Sequence, residues 1–247
     1  MKTERFTVTE NNYNIDCISY LPDNTIKSVT LCLHGFGGDK MSSAVKRLGK
    51  MLTEKNSAVV CFDFPAHGKS ELHSESLTIE NCIAHTKAVA DHIKKTYGDK
   101  TELNFFATSF GAFVLLNMLK ADPYPHSKIL LRTPAVKMEE TFLSPICNLT
   151  EAELKKTEKA ECGFERKMQL GYSFYLDLKN HSLDTIDNTN NMLMVYGDCD
   201  DVVKPEDMSG FADRNGINRI VIEGADHRFK KAGQLDAVIK IAAGHLC

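Results

Sequence analysis

The sequence predicts an α/β fold: a mainly parallel, eight-stranded sheet with helices on both faces. Two observations carry this. Short apolar runs rich in β-branched and aromatic residues recur along the chain without polar alternation, as strands buried on both faces do. Stretches with apolar residues at helical spacing separate them, so strand and helix alternate and βαβ units follow. With 247 residues, 43% of them hydrophobic, the chain can bury a sizeable single core.

In chain order, ERFTVTE and YNIDCISYLP read as an antiparallel pair joined at Asn11-Asn12. SVTLCLHG is a buried strand ending in glycine, and Met41, Val45, Leu48 and Leu52 follow at helical spacing. SAVVCFDF is the next buried strand. Ile79, Ile83, Ala90, Ile93 and Tyr97 mark one face of a long helix closed by Gly98. ELNFFATS is a strand, FGAFVLLNMLK its following helix, and SKILLRTP another strand. From about Val136 to Asn190 no strand is evident. Thr150-Glu151-Ala152-Glu153 opens a charged helical stretch there, and GYSFYLDL is aromatic-rich. Regularity resumes with NMLMVYGD, a helix from Pro205, the strand NRIVIEG, and a last helix through Leu235, Val238, Ile239 and Ala242. The expectation is one domain over residues 1–247, with a cap inserted between two core strands at about 137–180.

Composition excludes several classes. Lys and Arg number 30 against 33 Asp and Glu, with no basic cluster, so neither nucleic acid nor an anionic membrane is an expected partner. MKTERFTVTE lacks the apolar region of a signal peptide, and no run reaches the length of a membrane span. The eight cysteines are scattered without a CxxC pair, so reduced and mostly buried thiols, a cytoplasmic location and no metal site are expected. Oligomeric state is open, a homodimer being compatible with the sequence.

In an open parallel sheet, ligands bind beyond the carboxyl ends of the strands. There the sequence sets His34-Gly35-Phe36-Gly37-Gly38, Pro65-Ala66-His67-Gly68, Ala107-Thr108-Ser109-Phe110-Gly111, Gly197-Asp198-Cys199-Asp200-Asp201 and Gly224-Ala225-Asp226-His227. A serine, an acid and a histidine thus fall at one sheet edge, in the order Ser, Asp, His. Ser109 lies between a strand and a helix in a small-x-Ser-x-Gly turn, with Ala107 where a glycine is usual. The bland alternative is an ordinary helix N-cap. Of nine histidines, His227 stands directly after the last strand, in the slot a catalytic base occupies. His34 and His67, each before a glycine in a tight loop, suit structural hydrogen bonds. Asp200 has the expected spacing from Gly197, with Asp198 as the alternative acid. Cys199 is expected to be an unreactive thiol, through burial and the neighbouring carboxylates.

LHGFGGD, DFPAHGKS, ATSFG, YGDCDDVVKP and EGADHRF, in this order, resemble the signposts of the α/β-hydrolase superfamily, and within it small bacterial esterases of the cinnamoyl/feruloyl kind. Arg132-Thr133 departs from the small residues usual before Pro134. The resemblance implies a serine carboxylic ester hydrolase: Ser109 as nucleophile, His227 as general base, Asp200 as the acid that orients it, and the backbone N–H groups of Phe36 and Phe110 as oxyanion donors. It implies a small-molecule ester substrate and no metal or organic cofactor. A serine at this point separates the chain from relatives that use aspartate or cysteine. Cap aromatics supply apolar surface, and Tyr172 and Tyr175 are the candidate substrate-binding hydroxyls. Thioester or peptide hydrolysis on the same residues is the second reading. A non-catalytic receptor with the hydrolase fold is the third.

Overall fold

The computed structural model describes residues 1–10, 12–98 and 100–247. The strands in chain order are β1 (Lys2–Glu10), β2 (Tyr13–Leu21), β3 (Ser28–Leu33), β4 (Ser57–Phe62), β5 (Glu102–Thr108), β6 (Ile129–Arg132), β7 (Ala160–Cys162), β8 (Met168–Leu170), β9 (Met192–Gly197) and β10 (Asn218–Ile222). Eight of them form one sheet in the order β1-β2-β4-β3-β5-β6-β9-β10. β1 and β2 pair antiparallel, β2 meets β4 antiparallel, and the remaining neighbours are parallel. The α/β architecture read from the sequence is therefore the architecture of the molecule. Of the expected Asn11-Asn12 turn, Asn11 lies outside the described residues.

The helices are α1 (Ser43–Thr53), α2 (Ile79–Tyr97), α3 (Phe110–Ala121), α4 (Met138–Thr141), α5 (Glu151–Lys156), α6 (Tyr172–Asn180), α7 (Pro205–Asn215) and α8 (Gln234–His245). Strand alternation assigns them to faces. Leu31, Leu33, Phe105 and Ala107 point to one side, where Val89 of α2, Phe113 of α3 and Phe211 of α7 bury them. Cys32, Cys61, Phe106 and Val195 point to the other, under Leu48 of α1 and Ile239 of α8. Helix ends follow local chemistry. Ser42 and Thr78 accept N-terminal amides of α1 and α2. Thr150 and Glu153 form a reciprocal capping box on α5. Pro205 opens α7, and Gly216 closes it at φ 62°. Among the described residues, no helix is long and apolar enough to cross a membrane.

Between β6 and β9 the chain leaves the sheet, and two sequence expectations are corrected there. β7 and β8 form a small antiparallel ribbon in a region that showed no strand; at three residues each they are too short to display a period. Cys147 and Cys162 are joined in a disulfide, not reduced. The excursion folds back so that their Cα atoms stand 4.4 Å apart, a proximity that a 15-residue separation in irregular chain does not announce. The pair removes one support for a reducing compartment. Cys17, Cys32, Cys61 and Cys82 are buried free thiols. Cys199 is exposed, contrary to the expected burial, and the Asp198 carboxylate beside it raises its thiol pKa.

Two close approaches hold the sheet edge together. A Cβ on Gly111, in the first turn of α3, would stand 2.5 Å from the His34 carbonyl oxygen and 2.6 Å from that of Leu33. Gly111→Ala is expected to cost about 1–3 kcal/mol through overpacking against backbone that cannot yield, read as a lower urea midpoint. Asp63, buried at the end of β4, accepts the Lys40 amide and the Lys69 amide at 2.8 Å each. It also holds the buried Lys40 ammonium, which reaches Asp16 at 3.1 Å. This clasp ties the loops after β3 and β4 to each other.

Candidate active site

The register aligns the carboxyl ends of the parallel strands. Leu33 pairs with Ala107, Thr108 with Arg132, Arg132 with Val195, and Ile222 with Gly197. The loops after β3, β5, β6, β9 and β10 consequently open on one edge, around a cavity of about 380 Å³. Ser109, His227, Phe36, Arg132, Ile146 and Phe164 are among its walls.

Ser109 sits where β5 turns into α3, at φ 50° and ψ −113°. A positive φ on a residue with a Cβ is strained, and such strain is held where surrounding structure overdetermines it. Its amide donates to Arg132 O at 3.0 Å, and its carbonyl accepts from Ala112 and Phe113. Its side chain makes no capping hydrogen bond to α3, which disposes of the ordinary N-cap reading and leaves the hydroxyl to the cavity. Thr133, the β-branched residue after β6, is likewise at φ 43°.

His227 follows β10. Its Nδ1 lies 2.8 Å and 3.0 Å from the two carboxylate oxygens of Asp200. The Asp200 side chain is fully buried, and its Oδ1 also accepts the Val202 and Val203 amides at 2.9 and 2.8 Å. Those two bonds aim the carboxylate before the histidine arrives, and the pairing directs Nε2 away from the acid. Asp198, the alternative acid, accepts the Gly224 amide at 2.5 Å instead, and Asp201 accepts the His227 amide at 3.3 Å. The three crowded aspartates thus share five separate donor groups among them.

The backbone amides of Phe36 and Phe110 donate to no protein acceptor among the described residues. The loop after β3 runs close to the serine: a Cβ on Gly35 would stand in ordinary contact with Ser109 Cβ, at 3.4 Å. The Phe36 ring packs edge-on to Phe110 and Phe142 and beside Phe174, which anchors the loop.

The other two histidines of this edge hydrogen-bond to backbone, and His67 Nε2 is buried with no partner among the described residues. His34 Nδ1 contacts Gly35 O at 2.9 Å, and its Nε2 accepts the Phe64 amide at 3.2 Å, so it donates through Nδ1 as the neutral ring. Burial holds its pKa low. His67 Nδ1 donates to Pro65 O at 2.8 Å. Burial first, then neighbouring His34, pushes its pKa down to about 3, and burial alone takes His85 to about 4. A histidine whose pKa is depressed on folding stabilises the fold above its unfolded value of about 6.5. That contribution is lost as pH falls toward the folded value. Stability is therefore expected to decline from about pH 6.5 downward, by up to roughly 1.4 kcal/mol per pH unit for each such ring. Urea midpoints between pH 7 and 4 read this, and His67→Gln should flatten the slope.

Tyr172 and Tyr175 are not brought to the cavity. Both hydroxyls donate to Glu151, at 2.9 Å each, and the rings stack on each other. Of the aromatic and apolar residues between β6 and β9, Ile146 and Phe164 reach the cavity, whereas Phe142 and Phe174 are buried behind Phe36. Charged residues that the motifs did not single out also line it: Arg132, Glu165, Arg228 and Lys230. The available signal was Arg132 itself, a charge closing the buried run Ile129-Leu130-Leu131 at the same sheet edge. Among the described residues, no cluster of three or more His, Cys, Asp or Glu side chains is placed to hold a metal ion.

The family model described as serine aminopeptidase, S33, matches residues 24–160, more than half of the chain. The chain belongs to this family. The matched part of the S33 member contains Ser109 and ends before Asp200 and His227. No curated protein sequence matches the chain. Among solved structures, Est1E from Butyrivibrio proteoclasticus with ferulic acid bound is similar at TM-score 0.78 and 17% identity, over 97% of this chain and 96% of that one. An alpha-beta serine hydrolase homologue from Coxiella burnetii gives 0.71 and 18%, over 100% and 99%. The esterase domain of a Rhodothermus marinus protein gives 0.71 and 18%, over 99% and 97%. At such identities the likeness is one of fold, and it extends over the whole S33 chain. The resemblance to α/β serine hydrolases read from the sequence motifs holds.

Proposed function

We propose that this S33-family protein is a serine carboxylic ester hydrolase for small acyl or aryl-acyl groups. Ser109 attacks the ester carbonyl, His227 takes its proton, and Asp200 holds the imidazole and stabilises the imidazolium. The Phe36 and Phe110 amides receive the oxyanion. The alcohol leaves with the proton from His227; His227 then takes a proton from water as the water attacks the acyl-enzyme, and returns it to Ser109 Oγ as the acid leaves. The observation that carries this reading is the pairing of His227 Nδ1 with buried Asp200 at 2.8 Å, across one cavity from a strained serine with a free hydroxyl. Residues 137–180 act as a short cap over a single domain, contributing Ile146 and Phe164 to the substrate's surroundings.

The family description raises a second reading, cleavage at a peptide amino terminus. A site for that reaction needs a carboxylate free to hold the substrate ammonium. Two carboxylates line the cavity, Glu165 in an exposed pair with Arg228 at 2.5 Å and Asp201 accepting the His227 backbone amide at 3.3 Å, so the substrate panel decides between the two readings. The test is a fluorophosphonate probe followed by peptide mapping, together with a panel of 4-nitrophenyl acetate, butyrate and octanoate, methyl ferulate, an acyl thioester and an aminoacyl 4-nitroanilide. Labelling at Ser109 with turnover of the short esters is the expected result. Labelling elsewhere, or turnover of the anilide alone, overturns the assignment.

A further inference from the structure

The cavity holds one cation that the ester chemistry leaves without a task. Arg132 ends β6 directly beside Thr108, the residue before Ser109, and is among the residues that line the cavity. Its Nη2 makes a single long contact of 3.4 Å to Arg228 O. Its Nε is buried and, among the described residues, finds no acceptor. The guanidinium lies over the Phe229 ring at 5.1 Å, and among the described residues no carboxylate comes within 4.0 Å of it. The cavity's other two cations are matched, Arg228 by Glu165 and Lys230 by Asp226 at 3.2 Å. Asp200 and Asp226 reach Arg132 only through their charge, and Asp200 already binds His227 and two amides while Asp226 holds Lys230.

A desolvated guanidinium with open donors is costly unless something satisfies it. Burial lowers its pKa only to about 10, so it stays charged at neutral pH. Its planar fork matches a carboxylate, which can take two parallel N–H donors at once. We propose that Arg132 is the recognition group for an anionic substrate, and that the substrate class is an ester whose acyl or alcohol part carries a carboxylate. This rests on the ester-hydrolase reading and narrows it.

The experiment compares matched anionic and neutral esters. Monomethyl and dimethyl glutarate place the charge on the acyl side; 2-carboxyethyl butyrate and propyl butyrate place it on the alcohol side. The wild type is expected to prefer the anionic member of one pair by about tenfold to a hundredfold in kcat/KM, the range of a hydrogen bond to a charged group. The preference should reside in KM, fall close to one in Arg132→Met, and be partly kept in Arg132→Lys. A neutral preference in both pairs overturns the proposal. So does an Arg132→Met variant that loses activity on both members equally, which is the behaviour of a purely structural arginine. Calorimetric titration of monomethyl and dimethyl glutarate onto Ser109→Ala and Ser109→Ala/Arg132→Met separates this proposal from the ester reading. Arg132-dependent binding of the monoanion upholds it even if hydrolysis is absent, and equal binding of both esters overturns it even if hydrolysis is fast.

Discussion

Ser109→Ala is expected to lower kcat for the best ester by about a millionfold, as loss of a triad serine does in other serine hydrolases. The reason is local. The hydroxyl makes no capping bond and serves no helix, so its removal deletes the nucleophile and little else. The oxyanion donors and the cavity persist, and a residual rate of about 10³–10⁴ over water is the expected floor. Stability separates this from a folding defect. The backbone at φ 50° is strained for any residue with a Cβ, so Ser109→Gly should be inactive and yet more stable by about 1 kcal/mol. Kinetics on purified variants with parallel urea unfolding read both. An active Ser109→Ala removes the nucleophile assignment. An inactive Ser109→Gly that melts lower than the wild type removes the strain argument.

Asp200→Asn is expected to lower kcat by about 10⁴ with little change in fold. Oδ1 can continue to accept the Val202 and Val203 amides, so the side chain stays in place. What now faces His227 is an NH₂ group in place of the oxygen 2.8 Å from Nδ1. It can only donate, so the ring must turn Nδ1 into an acceptor and move its proton to Nε2, where a base is needed. Asp198→Asn is the control. Its Oδ1 serves the Gly224 amide, a bond that asparagine keeps, and activity should stay within a few-fold of wild type. A large loss in Asp198→Asn with a small one in Asp200→Asn would exchange the two roles.

Local signals were enough for the sheet. The runs SVTLCL, SAVVCF and MLMVYG are short, apolar and β-branched because parallel strands are covered on both faces, and each became a strand at the expected place. Since loops at the carboxyl ends of such strands converge whatever their composition, Ser109, Asp200 and His227 could be located on one edge from chain order alone. The excursion between β6 and β9 was much less legible. Its strands are too short for a period, its cysteines pair across irregular chain, and Tyr172 and Tyr175 turn to Glu151 because the capped helix α5 stands beside α6.

The sequence by itself determined the strand and helix order, the two faces of the sheet and the loops that carry the reactive residue types. These follow from periodicity and turn chemistry, which act over a few residues. Only the tertiary structure decided which aspartate meets His227, which aromatics reach the cavity, that Cys147 and Cys162 join, and that Arg132, among the described residues, stands there without a carboxylate partner. Each of these depends on where side chains distant in sequence come to rest, and hydrogen-bond partners within about 3 Å are chosen by packing, not by spacing along the chain.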